Sequence, residues 1–309
     1  MPPTEQYDPH EPGHVHEQLL RSPHDRSGHR RTDPGWLEER WADDTSRVLV
    51  VAGNLVAPSD KGVAWVGPGE APDGVRVLLG ERDGTAHFAV LTDREYAGGD
   101  WLGLRGLFPA LVADSTDASL LLHAIGLAEW HAATRFCSRC GEPVHPAAEG
   151  HELVCANGHQ TFPRTDPAVI MIVTDGEPGA EDERCLLGHH ARWPAGRFST
   201  LAGFCEPGES LEDAVRREVA EETGVLVGEV TYFGNQPWPL PASLMLGFTG
   251  RARTTDIECD EDEIADARWF TRADLKAGAE SGEIMLPSGV SISRSLVEAW
   301  YGGPLPGSW

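Results

Sequence analysis

Two apolar rhythms alternate along the chain. Residues 48–51 (VLVV), 75–79 (VRVLL) and 87–91 (HFAVL) are short runs rich in β-branched and large apolar side chains, bounded by Gly, Pro and Asp. That is the pattern of strands joined by turns. Residues 118–131 (ASLLLHAIGLAEWH) instead place apolar side chains at helical spacing, which predicts a helix. Past residue 165 the strand pattern returns. Residues 168–174 (AVIMIVT) are apolar at every alternate position and at most of those between, so a strand buried on both faces is expected, with further strands at 185–189, 230–233 and 244–250. Two helices, 211–223 and one near 291–301, complete this part. Before residue 34 the chain is rich in Pro, His, Asp and Arg and poor in apolar side chains, which predicts a disordered tail. The expected organisation is a tail over 1–33, an α+β domain over 34–134, a cysteine-bearing segment over 135–164 and a second domain over 165–309. The fold class is α+β, and no internal repeat is visible.

Composition narrows the function classes. At 309 residues and 40% hydrophobic content the chain can bury more than one core. No apolar run is long enough to span a bilayer, and the N-terminus lacks the basic start and apolar centre of a secretory signal, so a cytoplasmic protein without a membrane partner is expected. Asp and Glu number 49 against 25 Lys and Arg, a net charge of −24, which disfavours broad binding to nucleic acid but leaves local basic sites open. The six cysteines include one CxxC and three scattered residues, Cys185, Cys205 and Cys259. This suits a reduced compartment with one metal site better than a disulfide framework.

The cysteine segment carries CSRC at Cys137 and Cys140, then CANGH beginning at Cys155, with 14 residues between Cys140 and Cys155. Two such pairs can close a tetrahedral Zn²⁺ site as a ribbon. The second pair is incomplete, because Gly158 stands where its second cysteine would be. The fourth ligand is then expected to be His159, with His151 and His145 as alternatives. A zinc held by Cys137, Cys140, Cys155 and His159 has no open position and would be structural; the competing reading is a ribbon that has lost its metal.

The helix expected over 211–223 ends in three glutamates. Ser210 can cap its start and Gly224 supplies a left-handed stop. At about 100° per residue, Glu218, Glu221 and Glu222 share one face, where their mutual repulsion asks for a cation. Hard oxygen ligands of this kind suit Mg²⁺ or Mn²⁺ together with a phosphate. The bland alternative is a solvated acidic face. The wider segment argues against it, since G-x5-E-x7-R-E-U-x-E-E-x-G-U (U apolar) is matched at Gly203, Glu209, Arg217, Glu218, Val219, Glu221, Glu222, Gly224 and Val225. Arg217 can hold a neighbouring carboxylate, Glu209 in particular, through paired hydrogen bonds.

That pattern is the Nudix box, and the chain resembles the Nudix hydrolases. The ribbon just upstream and NQPWPLPAS at 235–243 resemble the zinc-ribbon-containing NADH pyrophosphatases, whose signature is SQPWPFPQS; the likeness runs from about Arg105 to the C-terminus. The resemblance implies a Nudix fold, a mixed sheet within an α/β/α sandwich. It implies metal ligation by Glu218, Glu222, Glu263 and the Ala202 carbonyl, with Glu221 as a further ligand or as the base that orients water. It places Gln236, Pro237, Trp238, Pro239, Leu240, Pro241, Ala242 and Ser243 along the dinucleotide pocket. Phe162 would stack on a base, and Ser293 and Arg105 would make further substrate contacts. Asn235, Leu240 and Ala242 depart from the signature; losing an aromatic face and an amide there loosens the expected preference for nicotinamide.

The implied reaction is metal-dependent hydrolysis of NAD(H) to AMP and nicotinamide mononucleotide. The family also contains enzymes that remove a 5′ NAD cap from RNA, and its members are homodimers. Two other readings compete. One is a Nudix enzyme acting on another nucleoside diphosphate derivative such as ADP-ribose, suggested by Leu240 and Ala242; the other is a non-enzymatic nucleotide-sensing module, against which the complete glutamate set counts.

Overall fold

The computed structural model describes residues 14–20, 24–60, 62–259 and 263–307. Two units are present: Gln18–Thr165 with Trp238–Ala242, and Pro12–Glu17 with Asp166–Pro237 and Ser243–Trp309.

In the first unit the strand Arg47–Ala52 runs parallel to Thr85–Thr92, which pairs antiparallel with Val75–Arg82. Asp83 and Gly84 close that hairpin with positive φ at both positions (52° and 78°), the geometry that matches the twist of the flanking strands. The short strands Leu55–Val56 and Leu102–Gly103 extend the sheet on the other side. Val48, Leu78, Phe88 and Val90 pack with Leu37 of helix α1, Pro34–Trp41. Helix α2, Leu104–Ala113, buries Leu104, Leu107 and Leu111 at helical spacing. Pro109 inside it masks that spacing in the sequence. Helix α3, Ala118–Ala133, is apolar on most sides and buried along most of its length.

The disordered tail expected over 1–33 does not extend through its described part. Val15–Leu20 is a 3-10 turn, and Leu19 is buried. Asp25 forms a β-bridge with Glu81, with N–O distances of 3.0 and 2.7 Å. Asp33 caps α1 by accepting a hydrogen bond from the Trp36 amide. The segment carries few apolar side chains, but it satisfies its backbone on an edge strand, which local composition does not encode. Residues 1–13 and 21–23 of the expected tail lie outside the described residues. The same unit carries a small antiparallel sheet, Val144–Ala147, Glu152–Cys155 and Gln160–Thr161.

The second unit is built on Asp166–Asp175. This strand pairs parallel with Ser243–Ala252 and antiparallel with Arg184–His190 and Leu201–Phe204; Val227–Trp238 and Ile264–Thr271 form the outer strands. Its alternation is resolved on both faces. Val169, Met171 and Val173 pack against Ala214, Val215 and Val219 of helix α4, Leu211–Thr223. Ile170 and Ile172 pack against Leu275 of helix α5, Arg272–Ser281, and Leu296 of helix α6, Ile292–Tyr301. The result is the α/β/α sandwich. Helix α5 is a third helix where two were expected; only Leu275 and Gly278 of it are buried, so it has little apolar periodicity to read.

Candidate active site

Helix α4 begins at Ser210, whose Oγ accepts from the Asp213 amide at 3.2 Å, and stops at Gly224 with φ 71°. Glu222 lies three and seven residues after Val219 and Val215, so it shares their buried face and is only 5% exposed. Glu221 faces outward with 61% of its side chain exposed, while Glu218 is half-buried between them.

Arg217 offsets the repulsion this arrangement creates. Its Nε and Nη2 reach the two Glu209 oxygens at 3.1 and 2.6 Å, and its Nη1 reaches Glu218 and Glu221 at 2.9 Å each. A fifth bond, at 2.9 Å, goes to the Phe204 carbonyl. Glu209 above all, and the other two carboxylates, push the proton affinity of Arg217 up. The guanidinium thereby ties the helix to the loop that leads into it. Gly203, on the strand before that loop, lets the Glu218 carboxylate lie against the backbone; a Cβ there would force that carboxylate to move.

Glu222 has a different balance. Burial raises its pKa first, then the charges of Glu218, Glu263 and Glu221, up to about 8. Its Oε2 is buried with no hydrogen-bond partner among the described residues. Glu263 is exposed immediately before Ile264–Thr271, and its carbonyl accepts from the Ala191 amide at 3.1 Å. Ala202 sits opposite Ile170 in the central sheet.

In the first unit, the ligand atoms of Cys137, Cys140, Cys155 and His159 all lie within 4.8 Å of one another. Cys140 and Cys155 are 3.7 Å apart at sulfur, and His159 Nδ1 is 3.5 Å from Cys137 Sγ. His151 is engaged elsewhere, its Nε2 donating to the Leu78 carbonyl at 2.7 Å.

The residues expected to contact substrate divide into two kinds. Trp238 lies 5.2 Å from the Phe108 ring and has the Arg105 guanidinium 6.0 Å from its centroid. Phe162 is 59% exposed. Pro237, Leu240, Ala242 and Ser243 are half-buried, Pro239 is buried, and Pro241 is exposed after a cis Leu240–Pro241 bond. Gln236 and Ser293 are buried and already bonded. The Gln236 amide donates to the Val290 carbonyl at 2.6 Å and accepts from the Ile292 amide at 2.9 Å. Ser293 Oγ meets Ser199 Oγ at 2.8 Å and Thr200 Oγ1 at 2.7 Å. The contributions of Phe108, Ser199 and Thr200 had no sequence signal, because each acts through a partner far along the chain.

Residues 164–287 match the NUDIX domain, and residues 132–162 match the NADH pyrophosphatase zinc ribbon domain. The chain is similar to the NAD-capped RNA hydrolase NudC of Mycobacterium tuberculosis (strain ATCC 25618 / H37Rv), 36% identical over 306 residues covering 91% of this chain and 94% of that protein. The corresponding protein of Mycobacterium bovis (strain BCG / Pasteur 1173P2) matches to the same extent. The NAD-capped RNA hydrolase NUDT12 of Homo sapiens is 41% identical over 205 residues, covering 62% of this chain and 44% of that protein. The chain is a Nudix hydrolase of the zinc-ribbon NADH pyrophosphatase family.

The donor sets of this Nudix hydrolase fit two kinds of metal. With Zn–S bonds of about 2.3 Å, tetrahedral geometry puts ligand sulfurs about 3.8 Å apart, which the Cys140–Cys155 separation meets. His159 therefore completes a Cys3His zinc-binding group. On α4 the fit rests on Glu222: a buried carboxylate with an orphaned oxygen, facing other carboxylates, is costly unless a cation neutralises it. All-oxygen donors there suit a hard divalent ion.

Proposed function

We propose that the chain hydrolyses the pyrophosphate bond of NAD-type dinucleotides, both as free NADH or NAD⁺ and as the 5′ NAD cap of RNA. Free NADH yields AMP and reduced nicotinamide mononucleotide; a capped RNA yields nicotinamide mononucleotide and a 5′-monophosphate end. The observation that carries this reading is the orphaned, buried Glu222 carboxylate among Glu218, Glu221 and Glu263, in a chain whose ribbon matches the NADH pyrophosphatase family. Relatives along nearly the whole chain bear the name NAD-capped RNA hydrolase, which supports the cap as a substrate.

In this reading Glu218, Glu222, Glu263 and the Ala202 carbonyl hold Mg²⁺ or Mn²⁺. A bound divalent ion would neutralise charge on the diphosphate and make a water more acidic. Glu221, outward-facing and ion-paired to Arg217, orients the attacking water or takes its proton. Arg217 keeps Glu209, Glu218 and Glu221 in register. Trp238, Phe162 and Arg105 offer flat and cationic faces to base and phosphate. Gln236 and Ser293 act by holding the start of α6, since their polar atoms are bonded within the protein. The prolines at 237, 239 and 241 limit the freedom of the loop that carries Leu240, Ala242 and Ser243.

Chromatography of products from NADH, NAD⁺, ADP-ribose and NAD-capped RNA tests the proposal. Mononucleotide release from NADH and from the capped RNA is expected; cleavage of ADP-ribose alone would replace the substrate, and no cleavage with either Mg²⁺ or Mn²⁺ would reject the enzyme. The same reading includes a homodimer, the commonest soluble assembly. Light scattering at assay concentration should give twice the chain mass, and a fully active monomer would overturn that part.

A further inference from the structure

The acids of this chain outnumber its bases almost two to one, 49 to 25, yet the first unit brings three histidines together near Arg26 and Arg31. The rings of His24, His123 and His151 follow one another at centroid separations of 5.7 and 5.3 Å. His123 Nδ1 is buried with no hydrogen-bond partner among the described residues. Burial lowers the pKa of all three histidines, to about 4 for His24 and His151, and nearby Arg26 and Arg31 reinforce the effect on His123 and His151.

Arg26 and Arg31 both lack a carboxylate partner among the described residues, but Arg31 alone of the two is half-buried and lines a cleft. Arg30, Arg40, Arg76 and Arg82 of the same unit all have carboxylate partners. Arg31 has none among the described residues; its one hydrogen bond runs from Nη2 to the Arg26 carbonyl at 3.5 Å, and its Nε is buried and unpaired. A half-buried guanidinium without an acid is a costly arrangement, and an anion from solution would relieve it.

The surroundings have room for one. Arg31 and Thr32 line an open cleft of about 550 Å³ whose walls include Leu37, Arg76 and Glu149. Ala148 and Glu149, at the tip of the ribbon hairpin, have φ of 46° and 48°, an uncommon pair of left-handed non-glycine residues. They are held there by a bond from the Leu78 amide to the Glu149 carbonyl, 3.3 Å, and by the Arg76–Glu149 ion pair. Arg76 is engaged by two carboxylates, Glu38 and Glu149, whereas Arg31 has no ion pair of its own among the described residues. The terminal N–H groups of the guanidinium, on the same cleft as the Thr32 hydroxyl, suit a phosphate oxygen, and the apolar shoulder at Leu37 accommodates the body of a nucleotide.

We propose that this cleft is a phosphate-ester site in which Arg31 and Thr32 bind the phosphate of a nucleotide. It rests on the first unit alone and does not depend on the proposed hydrolysis.

The test uses the full, zinc-loaded chain without added Mg²⁺ or Mn²⁺, titrated calorimetrically with inorganic phosphate, AMP and a short 5′-hydroxyl oligoribonucleotide. Phosphate and AMP are expected to bind the wild type and the Glu222→Gln variant alike, and to bind Arg31→Gln about tenfold more weakly or worse. Arg31→Gln should keep the NADH turnover of the wild type, and its zinc content and circular dichroism establish that it is folded. Thr32→Ala, an exposed change, should weaken phosphate in the same direction if Arg31→Gln does not fold. Competition by the oligoribonucleotide assigns the phosphate to an RNA backbone; its failure to compete assigns it to a free nucleotide. Absence of binding by all three probes, or binding undiminished in both variants, overturns the site.

Discussion

Glu222 is ionisable, buried and missing a partner at one oxygen, so it is the side chain whose removal separates function from folding. Glu222→Gln keeps the shape of the buried face with Val215 and Val219 while removing the carboxylate that a bound cation would ionise. Turnover of NADH at saturating Mg²⁺ should fall by roughly two orders of magnitude or more, with no loss of melting temperature in metal-free buffer. Near-normal turnover would remove Glu222 from the site. Gly203→Ala is expected to be costly in a related way: the new Cβ must displace the Glu218 carboxylate, so activity should drop far more than stability does. A variant that loses stability but keeps kcat would place the role of Gly203 in folding alone. That the three glutamates share a face follows from their spacing. That one is buried and another open to water depends on the sheet against which α4 packs.

Among the elements, the ribbon and the proline-rich loop make separable predictions. Zinc should be present at one per chain by elemental analysis and should fall in His159→Ala; full retention of zinc in that variant would mean another group supplies the fourth bond. The sequence allowed His145 or His151 in that place; the structure gathers His159 with the three thiols, and His151 is bonded instead to the Leu78 carbonyl, 73 residues away. In the loop, Trp238→Ala should raise KM for NADH more than it lowers kcat, because stacking lost equally from ground and transition state is uniform binding. An unchanged KM would take Trp238 out of the pocket. Helices α3, α4 and α6 were legible because their periodicity or caps are strong. The strand Leu201–Phe204 and helix α5 were not, since each is short and takes its stability from the surfaces it pairs with or covers.

For the whole molecule, the buried histidines set an acid limit. His16 and His151 are nearly inaccessible, and burial holds both near 4 against an ordinary 6.5. Between those values the unfolded chain takes up protons that the folded chain refuses, so stability is full above about 6.5 and declines as pH falls toward 4. Each contributes a loss of about 2 kcal/mol by pH 5. Glu222, raised to about 8, works in the opposite sense in metal-free protein, so the histidine effect is read in the Glu222→Gln background. Urea midpoints should therefore decrease from pH 7 to pH 5, and His151→Gln should flatten the decrease; a midpoint that rises on acidification would contradict the assignment.

Local spacing determined much of this protein: the buried central strand, the limits of α4, the shared face of its glutamates, and three of the four ribbon ligands. These features depend on residues a few positions apart, and backbone geometry alone relates them. Tertiary structure decided the fourth ligand, the ordered part of the N-terminal segment, the internal bonding of Gln236 and Ser293, the orphaned oxygen of Glu222 and the unpaired guanidinium of Arg31. Each of those is a question of whether a polar group has kept its water or found a partner. The answer is set by everything packed around it, most of which comes from distant parts of the chain.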